Sequence, residues 1–162
     1  MSIHDIRPER NVTVVTMALG MQTLAVPAEL LREILDPLPV TRVPCAGPFV
    51  PGVVNVRGWV VPLADLKQAL SIPDEGADER RRILVLDVVI GGETTTVAIA
   101  ADAVHEVATV ETRAIEAVPA SANAWPPEYL SGLYRGPNGF VLLPNLETIF
   151  ANLASRSLAV QP

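Results

Sequence analysis

The side chains able to do chemistry are few and scattered. Asp65, Asp87, Asp102 and Glu106 could in principle share acid–base work, but no other group is placed to complete a site around them. Asp65 reads more simply as the cap of a short helix over 66–70. Cys45 is the single cysteine and has no histidine in a recognisable pairing, so it reads as an inert thiol. His4 lies in a polar N-terminal stretch and His105 in a valine-rich run, so a metal site would lack ligands. Gly91-Gly92 lacks the spacing and following lysine of a phosphate-binding loop and reads as a turn. The expectation is a protein that is not an enzyme and carries no metal or cofactor.

Recognition is better served. The stretch from Pro51 to Leu66 reads as two short strands reversing at Arg57-Gly58, with a turn of helix after them. Gly58 relieves the backbone constraint on a tight reversal, and Val53, Val54, Val60 and Val61 suit a pleated surface. This apolar hairpin presents one asparagine, Asn55, and one arginine, Arg57. Polar groups held at a turn on a rigid support are suited to docking a partner. Asn55 has an equally good structural reading, in which its amide satisfies backbone groups of the turn. Trp59 is either a core filler or an exposed anchor for a partner.

The elements that must hold this hairpin are mostly strands. Residues 12–19 and 21–26 flank Gly20 as one hairpin, residues 82–90 and 94–100 flank Gly91-Gly92 as another, and 130–134 and 139–143 form a third. Pro27 with Leu30, Leu31 and Ile34 at helical spacing predicts a short helix over 27–35, which would carry Glu33 on a charged face. Residues 39–44 form an extended strand caged by prolines, a composition suited to a sheet edge. Asn145 is placed to cap a closing helix through Leu146, Ile149 and Phe150.

Composition narrows the classes. With 162 residues and 49% hydrophobic side chains the chain can bury a real core without disulfides. Its net charge is −6, and Lys67 is the one lysine among 12 basic side chains, so no nucleic-acid footprint is expected. Arg80-Arg81-Arg82 sits beside Asp78 and Glu79 and reads as a solvated strand entry. No apolar run is long enough to cross a membrane, and residues 1–10 lack the apolar run of a leader, so a cytoplasmic location is expected.

The order of events repeats. Ala28-Glu29-Leu30-Leu31-Arg32-Glu33-Ile34 matches Ala101-Asp102-Ala103-Val104-His105-Glu106-Val107. Gly52, Leu63 and Leu66 answer to Gly132, Leu143 and Leu146. A duplication explains this better than chance. Two small β units would each gain from closure into a barrel, which removes sheet edges, and would pack through a shared apolar seam. The expected organisation is one domain over 1–162 with two pseudo-repeated subdomains, 11–72 together with part of the C-terminal region and 80–150. Residues 1–10 and 155–162 are expected to be flexible.

With these residues in view, the chain resembles the CheW family of bacterial chemotaxis coupling proteins. Gly52-Val53, Asn55-Val56-Arg57-Gly58, Val60-Val61-Pro62 and Asp65-Leu66 follow the family's characteristic run, with Val56 in place of leucine. Leu31-Arg32-Glu33-Ile34, residues 102–107, Glu128 to Leu133 and Val141-Leu142-Leu143 extend the match from about residue 12 to 150. Leu24 and Pro144 depart from the pattern and leave open which receptor and kinase are recognised. The resemblance implies a mainly β fold of two five-stranded SH3-like β-barrel subdomains packed together, with short helices. It implies a non-catalytic adaptor that joins chemoreceptor cytoplasmic tips to the regulatory domain of a CheA-type histidine kinase, with copies also touching one another in arrays. Arg57 would face the receptor, with Asn55, Val56, Gly58 and Glu33 around it. The same fold serving a pathway for pili, development or a second messenger is an alternative, and a small-ligand-binding β-barrel is a weaker one.

Overall fold

The computed structural model describes residues 10–42, 52–64, 66–69, 72, 79–118 and 127–151. The expectations for His4, Cys45, Asp65 and the chain ends at 1–9 and 155–162 fall outside these residues.

Eleven strands are formed by the described residues: β1 (Asn11–Leu19), β2 (Gln22–Pro27), β3 (Leu31–Leu35), β4 (Thr41–Arg42), β5 (Gly52–Val56), β6 (Trp59–Ala64), β7 (Arg82–Ile90), β8 (Glu93–Ala101), β9 (Ala103–Glu111), β10 (Leu130–Gly136) and β11 (Gly139–Pro144). A short helix α1 (Leu66–Ala69) follows β6, and a second helix over 146–151 follows β11. Asn145 caps the latter as expected, its Oδ1 accepting the Thr148 N–H at 3.1 Å.

The strands form two mixed sheets, ordered β10-β11-β2-β1-β9 and β3-β7-β8-β6-β5-β4. Each sheet draws on both halves of the chain: the hairpin β1-β2 joins the later strands, and the hairpin β7-β8 joins the earlier ones. Read from the β10 end and the β4 end respectively, the two orders correspond. β5-β6 and β10-β11 are hairpins, β6 and β11 each run parallel to the next strand, and β3 and β9 close the far edges with a register shift in each. The chain segment around Glu116, bridged to Leu133, takes the place of β4.

The helix expected over 27–35 is not formed. Residues Ala28–Leu30 make a single 3-10 turn, and Leu31–Leu35 is strand β3, paired with β7. The apolar spacing suited a helix locally, but the edge of the β7 ladder offers this segment four backbone pairings that a helix would forgo. Alternation then replaces helical period: Leu31, Glu33 and Leu35 turn partly inward while Arg32 and Ile34 are exposed.

The largest apolar cluster is shared by the two sheets and both helices, including Met17, Leu24, Leu84, Leu86, Ile99, Leu66, Ile149 and Phe150. Each sheet also has a small cluster of its own, around Val14, Ala25 and Val141 in one and Val54, Val61 and Val85 in the other. Burying a Leu or Ile side chain stabilises by roughly 1.5–3 kcal/mol, so this common core is what holds the sheets together. One polar staple crosses it. Lys67 of α1 donates to Asp102 Oδ1 at 2.7 Å, and Asp102 Oδ2 accepts the N–H of Gly20 in the β1-β2 turn at 2.6 Å.

Two glycines are required by close approach. A Cβ on Gly52 would run into the carbonyl oxygen of Thr41, and one on Gly132 would come within 2.7 Å of the Ile115 Cγ2 and 2.9 Å of the Glu116 oxygen. The repeat seen in the sequence thus places the same residue type at the same crossing.

Candidate protein-docking site

The β5-β6 hairpin reverses in two residues, both at positive φ: 52° at Arg57 and 87° at Gly58. That pairing matches the right-handed twist of the strands and usually selects Asn-Gly or Asp-Gly. Arg57 is the one non-glycine at positive φ among the described residues. A bulky side chain in this region costs backbone energy, and such positions concentrate at functional sites. Asn55 sustains the turn, its Oδ1 accepting the Gly58 N–H at 2.9 Å. The structural reading of Asn55 is therefore the one its side chain adopts here.

Arg57 reaches across to β3. Its Nε and Nη2 donate to Glu33 Oε1 at 3.0 and 2.7 Å, a forked contact that fixes the plane of the guanidinium. The pair is solvent-facing, with Arg57 75% exposed and Glu33 28%. The hydrogen bond from Arg57, helped by its charge and that of Arg32, holds the Glu33 carboxyl below the ordinary glutamate value of 4.5. Such an exposed pair adds little stability, so its consequence is orientation.

Around it lies a groove of about 380 Å³, lined by Arg32, Glu33, Val56, Arg57, Trp59, Val60, Val61, Val85 and Thr96. The register shift between Leu31 and Glu33 lets the adjacent Arg32 and Glu33 both border it. Arg32 lies 3.6 Å from Asp87 Oδ1, and the Thr96 hydroxyl donates to the same oxygen at 2.8 Å. Asp87 is thus a structural carboxylate tied to a wall of the groove.

The five residues singled out from the sequence are brought to one place, but not in one role. Arg57 and Glu33 form the charged rim, Asn55 and Gly58 build the turn, and Val56 is buried with Val54 and Val61 beneath it. Trp59 is 76% exposed and Val60 69%, which settles Trp59 as surface and not core. Residue type alone leaves Trp59 ambiguous and reads Val60 as a strand residue; two large apolar side chains following a charged turn on an edge-proximal hairpin are the signal that marks both as surface. An exposed tryptophan beside an oriented arginine is the composition of an interaction hot spot. Among the described residues no cluster of His, Cys, Asp and Glu could hold a metal, and no helix is long and apolar enough to cross a membrane.

Residues 13–154 match the CheW-like domain family. A chemotaxis protein CheW of Rhizobium meliloti (strain 1021) is 28% identical over 136 residues, covering 84% of this chain and 85% of its own. A probable chemotaxis protein CheW of Rhizobium etli is 26% identical over 143 residues, covering 88% and 90%. The crystal structure of the scaffolding protein TtCheW from Thermoanaerobacter tengcongensis superposes with a TM-score of 0.75 at 23% identity, over 87% of this chain and 93% of that one.

Proposed function

The chain belongs to the CheW-like domain family of non-catalytic signalling adaptors, and from that premise we propose that it couples the cytoplasmic tip of a chemoreceptor to a CheA-type histidine kinase. The observation that carries this reading is the family match over residues 13–154, nearly the whole chain. On this reading the protein works in the cytoplasm and performs no bond chemistry. Two contact surfaces on one rigid body fix the kinase relative to the receptor, so a small receptor shift changes which kinase conformation is favoured. Separate weak contacts become effective when many copies share an array, including contacts between copies.

The receptor-facing surface is assigned to the groove at Arg57. Glu33 holds the guanidinium in one plane, Asn55 and Gly58 set the turn, Val56 supports it from below, and Trp59 and Val60 offer apolar area beside it. A partner carboxylate could take the guanidinium edge that Glu33 leaves free.

Each sheet is further assigned to one closed barrel, so that the chain is a pair of pseudo-repeated subdomains. Connector length supports this. Five residues, 36–40, join β3 to β4 at opposite edges of one sheet, and residues 112–115 join β9 to the Glu116 bridge on β10 in the other. At roughly 3.3–3.6 Å per residue, such links require the edges to curl toward each other.

The test is a titration of the intact chain against a receptor signalling-tip fragment and, separately, a kinase regulatory-domain fragment, with Arg57→Glu in parallel. The substitution is expected to weaken the receptor contact by about tenfold or more while leaving the melting temperature and the kinase contact unchanged. Unaltered receptor affinity would remove Arg57 from that surface, and absence of binding to either fragment would remove the coupling role.

A further inference from the structure

The groove at Arg57 has a counterpart in the other sheet. By strand pairing, Glu33 opposite Val85 corresponds to Glu106 opposite Thr16, and each lies just past a register shift. Likewise the pair Val54 and Val61 corresponds to Tyr134 and Val141, and Val56 and Trp59 correspond to Gly136 and Gly139. The turn residues Arg57-Gly58 therefore correspond to Pro137-Asn138. A second groove of about 860 Å³ occupies the matching place, bordered by Glu106, Tyr134, Pro137 and Val141.

What differs is the filling. Where the first groove has Val56, Arg57 and Trp59, the second has Gly136, Pro137 and Gly139, and its volume is more than twice as large. Proline cannot adopt the positive φ that aims Arg57 across its groove. This half therefore cannot supply an arginine from its own turn. Glu106 keeps its place at the rim, exposed, and no basic side chain among the described residues pairs with it. Arg135, an arginine that borders the groove, instead lies with its guanidinium 5.5 Å from the centre of the Phe140 ring. Glu106 still acts on the groove floor: burial first, and then its charge, push the Tyr134 hydroxyl above its ordinary range.

We propose that the groove at the β10-β11 turn is a docking site for an arginine side chain carried by a partner polypeptide, with Glu106 as its counterion. The chain itself displays the occupant. The same glutamate position on the same bulged edge strand, over the equivalent valine wall, holds a guanidinium in one half and lacks it in the other. A guanidinium matches the carboxylate in charge and fork geometry, and its aliphatic stem can lie along Val141. The inference rests on the internal comparison and stands whether or not Arg57 meets a receptor.

The experiment uses the full chain and N-acetyl-arginine amide as probe, followed by the amide NMR signals of Glu106 and Tyr134. Saturable shifts confined to this groove are expected, with the uncharged isostere N-acetyl-citrulline amide about two- to fivefold weaker, the range a solvent-exposed ion pair allows. Glu106→Gln should weaken the arginine response by a similar factor. Pro137→Arg combined with Asn138→Gly rebuilds the Arg-Gly turn and should abolish the response by filling the groove from within. Equal responses to arginine and citrulline, an arginine response indifferent to Glu106→Gln, or shifts centred on Glu33 would each overturn the proposal. Dimerisation that requires both Arg57 and Glu106 would make the occupant a second copy and overturn the assignment to a partner.

Discussion

The two grooves share a frame and differ in what the frame carries. Both sit between a bulged edge strand bearing a glutamate and a two-residue hairpin turn, yet one turn is Arg57-Gly58 and the other Pro137-Asn138. The first presents an arginine already held in place; the second leaves a carboxylate open. The difference teaches that the shared frame fixes position while turn chemistry fixes role. The supports diverge in the same way. Asp102, at the β8-β9 junction, ties α1 to the β1-β2 turn, whereas its counterpart Glu29 is exposed, and Lys67 has the acidic Glu147 as its counterpart.

The sharpest way to break this comparison is at the staple. Asp102→Ala removes an acceptor of the largely buried Lys67 ammonium and the acceptor of the Gly20 N–H, and should cost about 2–3 kcal/mol in urea unfolding. Glu29→Ala at the equivalent exposed position should change stability by about 0.5 kcal/mol at most. Equal costs would mean that the two supports are not differentiated.

The paired glycines come next. Gly52→Ala drives a methyl into the Thr41 carbonyl, a fixed backbone atom, and should destabilise by about 2–3 kcal/mol. Gly132→Ala first meets the Ile115 methyl, which can shift, so about 1–2 kcal/mol is expected from thermal unfolding. A reversed order would show that the Glu116 segment is held more rigidly than β4.

The smallest effect is in the first groove's titration. Because the Glu33 carboxyl is lowered in the folded chain, its pairing adds stability above the unfolded glutamate value and loses it as pH falls through the folded one. The window therefore lies below pH 4.5, and both partners are exposed, so global stability should barely register it. Carboxyl NMR should instead find Glu33 titrating below 4.5, and moving up toward that value in Arg57→Ala. No movement would mean that the forked contact does not persist in solution.

Much of this was legible in the sequence. Valine- and threonine-rich runs around Gly20 and Gly91-Gly92, and leucine-bearing runs around residues 137–138, point to three hairpins, since two-residue turns between apolar runs are local signals. The Gly52 and Gly132 correspondence was legible because close approach tolerates only glycine there. The segment 27–35 misled, because the apolar spacing of Leu30, Leu31 and Ile34 is local while the β7 edge that claims β3 is some fifty residues away. The exchange of hairpins between sheets is a pairing across the whole chain and leaves no trace in periodicity. Glu33 and Arg57 were linked only through the family resemblance, and the second groove was hidden because Pro137 and Gly139 read merely as turn residues.

The most direct test of the coupling role is whether the chain bridges. A receptor signalling-tip fragment is immobilised, a kinase regulatory-domain fragment is passed over it, and capture is measured with and without this protein. The account predicts that the kinase fragment is retained only when the protein is present and that Arg57→Glu abolishes most of that retention. Retention of the kinase fragment to the same level without the protein, or none with it, would contradict the account.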